Sequence, residues 1–214
     1  KDRLLRDDLK INLLGQKFME TTTYSFISPR EFDRMGVEKD SNLRDYISLR
    51  NPLGEDFSIM RTTQISNMLD VISKNINRGA KDLRLFELGH TFEKTSEDLP
   101  KENDILTMGL YGDYDFYDMK DYFTVAMANV GFLGFSYKTN TENPIFHAGR
   151  CADIYYKDIG IGTIGEISYE VRDEYDIDKG CLILEVNIAK IRDHRITERK
   201  YRPIPKYPAI TRDY

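Results

Sequence analysis

"DLRLFELGHTFEK", Asp82–Lys94, is the stretch that decides the fold. Leu83, Leu85, Leu88 and Phe92 are apolar and charged residues stand between them, which predicts a strand over 83–92. The strand ends on Glu93, a negative charge directly after the aromatic. Upstream, Ile65, Met68, Leu69, Ile72 and Ile76 recur at helical spacing and Gly79 follows, so an amphipathic helix over 64–77 leads into the strand. Downstream, 95–103 is polar and reads as a loop, and "DILTMGLYG" reads as a second strand.

The rest of the chain adds further helices and strands. Leu5, Leu9, Leu13 and Leu14 mark one face of a helix over 2–17. "METTTYSFIS" and "YISLRNP" read as strands, "NPLGED" as a turn and "FSIMRT" as a short strand. Ser28-Pro29-Arg30-Glu31 is a helix start, with Ser28 as cap and Glu31 as the returning half of a capping box; that helix ends near Gly36. A third long helix covers 117–130 and stops at Gly131. Strands follow at 133–138, 151–157, 160–167 and 181–187, with a short helix near 168–175. Strands and helices do not alternate regularly. The expected class is therefore α+β, a mainly antiparallel sheet flanked by helices, rather than a doubly wound parallel sheet.

Bulk properties narrow the function. The 214 residues are 40% hydrophobic and 31% charged, ordinary for a soluble domain. A net charge of −5 argues against a general nucleic-acid binder. Cys151 and Cys181 have neither metal-ligand spacing nor a disulfide framework, which suggests a reducing, cytoplasmic setting. No apolar run has membrane-spanning length, so no membrane partner is expected. The chain starts at Lys1 and stops after a segment carrying Pro203, Pro205 and Pro208, which favours an extended path. It reads as a segment of something longer.

The run "FMETTTYSFIS…REFDRMG…NPLGEDFSIMRTTQISNMLDVISKNINRGAKDLRLFELGHTF", followed by "FHAGRCADIYYKDIGIGTIGEIS" and "PIPKYPAITRD", resembles the synthetase-like core of the bacterial phenylalanyl-tRNA synthetase beta subunit. The resemblance covers nearly the whole chain. It implies a class II aminoacyl-tRNA synthetase-like fold. It also implies a heterotetramer of two alpha and two beta subunits that joins phenylalanine to tRNA with ATP and magnesium, the alpha subunit carrying the reaction. The implied organisation is a core over 1–200, then a linker and the start of an anticodon-binding-type domain over 201–214.

Three class II signatures can be set against the residues. The first, a long helix and a strand, usually has a glycine before the aromatic and a proline later; here Lys17 and Tyr24 stand in those places. The second wants an arginine after the aromatic and an acidic residue two further on; here they are Glu93 and Thr95. The third wants a glycine-rich strand running into an arginine; "CLILEVNIAKI" has no glycine, and Lys190 is the nearest cation. An arginine fork can hold a phosphate with two charge-assisted hydrogen bonds. Glu93 would repel one, by roughly 4 kcal/mol at ~4 Å and an effective dielectric near 20. The expectation is a catalytically silent core with no catalytic residue, metal or cofactor of its own.

Other candidates read as structural. Glu87 and His90 lie three apart on a strand and face opposite sides, so each is expected in a salt bridge or in solvent rather than as an acid–base pair. Arg61 is expected in a structural ion pair. His147 and Arg150 sit at a turn set by Gly149, and Asp113, Asp115 and Asp118 form a solvated loop that caps the helix from 117. Lys190–Lys206 carries seven basic and two acidic residues. Arg192, Arg195, Arg199, Lys200 and Arg202 are candidate tRNA contacts there, with a solvated linker as the equal alternative. The helix over 2–17 is either core or, as the resemblance implies, part of a subunit interface. The leading expectation is a non-catalytic core that supports the alpha subunit through assembly and tRNA placement. The alternative is a free-standing regulatory module that binds an amino acid or a protein.

Overall fold

The computed structural model describes residues 2–96 and 99–196. Alternating apolar residues at Leu83–Glu93 (β4) and Lys101–Tyr111 (β5) form the longest antiparallel pair, in unbroken register from Leu83 opposite Tyr111 to Glu93 opposite Lys101. Cys181–Asn187 (β9) pairs with β5, Ile159–Ile167 (β8) with β9, Phe146–Tyr156 (β7) with β8 and Phe135–Thr139 (β6) with β7, all antiparallel. Met19–Glu20 (β1) closes the other edge, parallel to β4, and the order is β1-β4-β5-β9-β8-β7-β6. A separate pair joins Phe26–Ile27 (β2) to Ile59–Met60 (β3). The α+β class expected from the sequence is the class observed.

Both faces of the sheet are covered, as odd and even residues of each strand point to opposite sides. On one side lie Asp2–Gly15 (α1) and Phe116–Asn129 (α4), which bury Leu5, Leu9, Leu13 and Phe123 against Phe86, Met108 and Leu184. On the other lie Arg30–Arg34 (α2), Ile65–Ile76 (α3) and Tyr169–Glu174 (α5), packed on Leu85, Tyr111 and Ile183. Each fully buried aliphatic side chain of this kind contributes roughly 1.5–3 kcal/mol. Gly109 lets α3 approach β5 closely, because a Cβ there would stand 3.0 Å from Met68 Cγ. Asp115 caps α4 by accepting from the N–H groups of Tyr117 and Asp118, and Asp118 returns to the Asp115 N–H.

Several local expectations are corrected. "METTTYSFIS" is not one strand: only β1 and β2 are regular, and 21–25 between them are irregular. "YISLRNP" keeps a single bridge at Ser48. The loop expected to 103 ends earlier, because Lys101 and Asn103 pair across to Glu93 and Thr91. Glu31 does not return to Ser28; its carboxylate holds Arg34 at 3.0 Å and accepts from the Tyr175 hydroxyl at 2.7 Å. Leu14 does not join the buried stripe of α1 but stands 46% exposed. It turns instead toward the side of Leu4 and Ile11, which are also exposed.

Candidate functional site

The largest fully buried side chain among the described residues is a charged one. Arg61, 1% exposed, follows β3 and lies flat on the α3 side of β4. Its Nη2 meets Glu87 Oε1 at 2.9 Å, and its Nε donates to the His90 carbonyl at 2.8 Å. Its Nη1 donates to Thr23 Oγ1 at 2.8 Å, and reaches Asn67 Oδ1 at 3.3 Å and the Tyr24 carbonyl at 3.4 Å. Thr23 passes its own hydroxyl proton toward Glu87 Oε2 at 2.7 Å. A guanidinium removed from water needs this density of acceptors to offset lost hydration.

The network runs on across the sheet. Gln64 Nε2 reaches Glu87 Oε1 at 3.4 Å, and Gln64 Oε1 accepts from the Thr107 hydroxyl of β5 at 2.7 Å. Glu185 of β9 accepts from the Gln64 N–H at 2.6 Å and the Thr63 hydroxyl at 3.0 Å. Removal from water pushes the Glu185 carboxyl above the usual range, against these hydrogen bonds and the nearby Arg61 charge. Gly89 makes the arrangement possible: a Cβ there would stand 1.9 Å from Gln64 Nε2 and 2.5 Å from Arg61 Nη2. The segment 61–64 therefore fills the middle of this sheet face with protein.

Farther along the same face of β4 stands Glu93, its side chain 54% exposed. Lys101 Nζ lies 2.9 Å from one oxygen and Asn103 Nδ2 donates to the other at 2.8 Å. The Lys101 hydrogen bond, with Lys101's charge, Asn103 and the charge of Lys190 behind it, holds the Glu93 carboxyl below the usual range. Glu93 lines a cavity of about 920 Å³ that also exposes Glu38, Asp40, Asp45 and Glu142, with Lys94 as the cation in its lining. Lys94 is engaged by Asp45 at 2.7 Å. The cleft is acidic, and a polyphosphate would meet carboxylates there.

The other sequence candidates fall as follows. Lys17 ends α1 with φ +65°, the left-handed conformation that glycine adopts freely. The N–H groups of Phe18 and Lys17 bond the Leu13 and Leu14 carbonyls at 3.0 Å, a Schellman ending closed by the buried Leu13 and Phe18. Tyr24 is 71% exposed. Thr95 donates to the Leu99 carbonyl at 2.9 Å, and Lys190 to the Gly160 carbonyl at 2.9 Å. His90 lies on the α1 side with Asp104 at 3.1 Å and Arg6, opposite to Glu87. His147 Nδ1 accepts from the Gly149 N–H at 3.1 Å, and Arg150 meets Glu166 at 2.6 Å. Arg195 ties the end of the described chain to the Val130 carbonyl and to Asp8. Arg192 lies beside Arg6 and Asp104. Arg199, Lys200, Arg202 and the 201–214 segment lie outside the described residues. The thiols of Cys151 and Cys181 are buried, which pushes both up to about 12.

Sequence reading missed Gln64 and Glu185. A signal existed for the second: one carboxylate inside the aliphatic run "LILEVN" demands a partner. No such signal marked Gln64.

Residues 1–188 match the family model for the phenylalanyl tRNA synthetase beta chain CLM domain. The phenylalanine–tRNA ligase beta subunit of Clostridium tetani is 36% identical over 98% of this chain, and that of Clostridium acetobutylicum 34% identical over 100% of this chain. The chain belongs to the phenylalanyl-tRNA synthetase beta chain family. It spans 27% of the length of each of these two relatives. Among solved structures it is similar to pyrrolysyl-tRNA synthetase from Desulfitobacterium hafniense, with a TM-score of 0.72 over 89% of this chain and 69% of that one. At 16% identity that likeness shows a shared class II synthetase fold and nothing about activity. Among the described residues no helix is long and apolar enough to cross a membrane.

Proposed function

We propose that this chain is a non-catalytic synthetase-like core of a phenylalanine–tRNA ligase beta subunit, supporting ATP-dependent aminoacylation carried out on an alpha subunit. The observation that carries the reading is the state of one sheet face. Its middle is occupied by Arg61, Thr63 and Gln64, and its open end presents Glu93 to an acidic cleft. A triphosphate seated there would have to displace a saturated buried ion pair or approach several carboxylates at once. ATP and magnesium belong, on this reading, to the partner subunit.

The domain acts by assembly. Leu4 and Ile11 are 64% and 67% exposed on α1, Leu14 lies on the same side, and Met19 on edge strand β1 is 53% exposed. This stripe is the surface we assign to subunit contact, where obligate interfaces are apolar at their centres. Placement of tRNA is assigned to the full assembly, with Arg192 and Arg195 and the basic segment after them as contacts. The test is reconstitution. Co-expressed alpha and beta subunits should copurify and charge tRNA, and Ile11→Asp in the beta subunit should weaken copurification while leaving the melting temperature within a few degrees. Unchanged assembly in that variant would contradict the interface assignment.

A further inference from the structure

A cavity of about 490 Å³ lies along α5 and the turn after it, lined by Tyr169, Glu170, Arg172, Asp173, Ile177 and Asp178. The helix is held firmly from behind. Val171 is buried in the core, and Arg34 donates to the Glu174 carbonyl at 2.9 Å. Arg172 is the cation in the lining, and it is only 8% exposed. Arg61, the other deeply buried arginine, is answered by a carboxylate, a hydroxyl and a carbonyl. Arg172 has no hydrogen-bond or ion-pair partner for its guanidinium among the described residues. Its Nε is unpaired and shut off from solvent, so the unpaired Nη nitrogens are the donors it can offer to the cavity. The Tyr169 ring supports one face of the guanidinium, 4.5 Å from Cζ to centroid. Five donors taken largely out of water without acceptors are costly to keep. The carboxylates around it are spoken for unequally. Asp178 accepts from the Tyr111 hydroxyl at 2.6 Å. Glu170 and Asp173 are exposed, and their side chains have no cation or donor among the described residues.

We propose that this cavity binds a free α-amino acid, its carboxylate on the Nη nitrogens of Arg172 and its ammonium against Asp173 and Glu170. The lining presents one unanswered positive group and two unanswered negative ones. A simple anion could pair with Arg172 but would meet three carboxylates. A simple cation would satisfy the carboxylates and leave the guanidinium unanswered. A zwitterion answers both, and a guanidinium fork matches a carboxylate with two parallel hydrogen bonds. Arg172 and Asp173 are adjacent residues lining one cavity, so the ligand's opposite charges must also lie close together. An α-amino acid has them on the same carbon. Ile177 and the ring of Tyr169, which is 63% exposed, offer apolar surface to a small hydrophobic side chain. The site shares no lining residue with the acidic cleft at Glu93 and does not depend on subunit assembly.

The experiment is isothermal titration of the full-length subunit that carries this chain, with three probes. L-Leucine has both charges, leucine amide lacks the carboxylate and N-acetyl-leucine lacks the ammonium. The expected result is saturable binding of leucine, with each analogue at least about tenfold weaker. Arg172→Met should abolish leucine binding while leaving the melting temperature within a few degrees, because the charge it removes has no partner in the fold. The double variant Glu170→Gln with Asp173→Asn changes exposed positions only, so it reads the site even if the methionine variant folds poorly. It should weaken leucine about tenfold or more. No saturable heat with leucine, an analogue that binds as well as leucine, or undiminished leucine binding in either folded variant would overturn the proposal.

Discussion

Glu87 and Glu93 are carboxylates on one strand, on one face, six residues apart, and their surroundings are opposite. Glu87 is 3% exposed and held by Arg61, Thr23 and Gln64. Glu93 is half in water, paired with Lys101 and Asn103, and looks into an acidic cleft. The first charge fastens the segments before β2 and α3 onto the sheet. The second fixes the sign of what remains open. Neighbouring parts of β4 thus differ in kind: one is filled with protein and the other carries a negative charge at an open cleft, and on the proposed reading either would keep a nucleotide off this face.

The comparison can be broken at the buried end with the largest effect. Arg61→Met should cost about 3–5 kcal/mol in denaturant unfolding, since Glu87 is left charged and unpaired. Arg61→Met combined with Glu87→Met should recover much of that loss, and a double-mutant cycle measures the coupling. A loss under 1 kcal/mol in the single variant would mean that the pair is not the fastening. Next, Gly89→Ala should cost about 1–3 kcal/mol, because the new methyl group collides with Gln64 and Arg61.

A smaller effect is expected in pH dependence. Burial raises the Glu185 carboxyl in the folded chain, so its contribution to stability is present below the ordinary glutamate pKa and lost as pH rises through the raised value. Glu185→Gln should flatten that fall between mildly acidic and neutral pH in thermal unfolding. Glu93 has the opposite sign: its depressed carboxyl loses its contribution as pH falls through the folded value, and its exposure keeps the effect slight. The least change is expected at Lys17. Lys17→Gly should stabilise by no more than about 1 kcal/mol, relief of the left-handed strain being partly offset by the added freedom of the unfolded chain.

The legible part of the fold was what periodicity encodes. The buried stripes of α1 and α3 and the pairing strands β4, β5 and β9 follow from spacing alone, and the placement of Glu87 and His90 on opposite sides follows from the two-residue repeat. What failed was where backbone groups serve side chains instead of ladders. Residues 21–25 are rich in strand formers, yet the Thr23 hydroxyl and Tyr24 carbonyl are committed to Arg61 and Glu87, so the chain bends away from the sheet. Lys101 looked like loop because its partner, Glu93, lies on another strand. The site divides in the same way. The reversed charge at Glu93 could be read from one position. The filling of the face required Gln64 and Glu185, residues 121 apart in sequence whose backbone N–H and carboxylate only the fold brings together.

The central claim is that no nucleotide sits on this face, and isothermal titration of the folded chain with magnesium–ATP up to millimolar concentration tests it directly. The account predicts no saturable heat and no rise in melting temperature, for the natural chain and for Glu93→Arg alike, since the other carboxylates of the cleft and the Arg61–Gln64 plug remain. Saturable binding to the natural chain, lost when Glu93 and its neighbours in the cleft are altered, would contradict it.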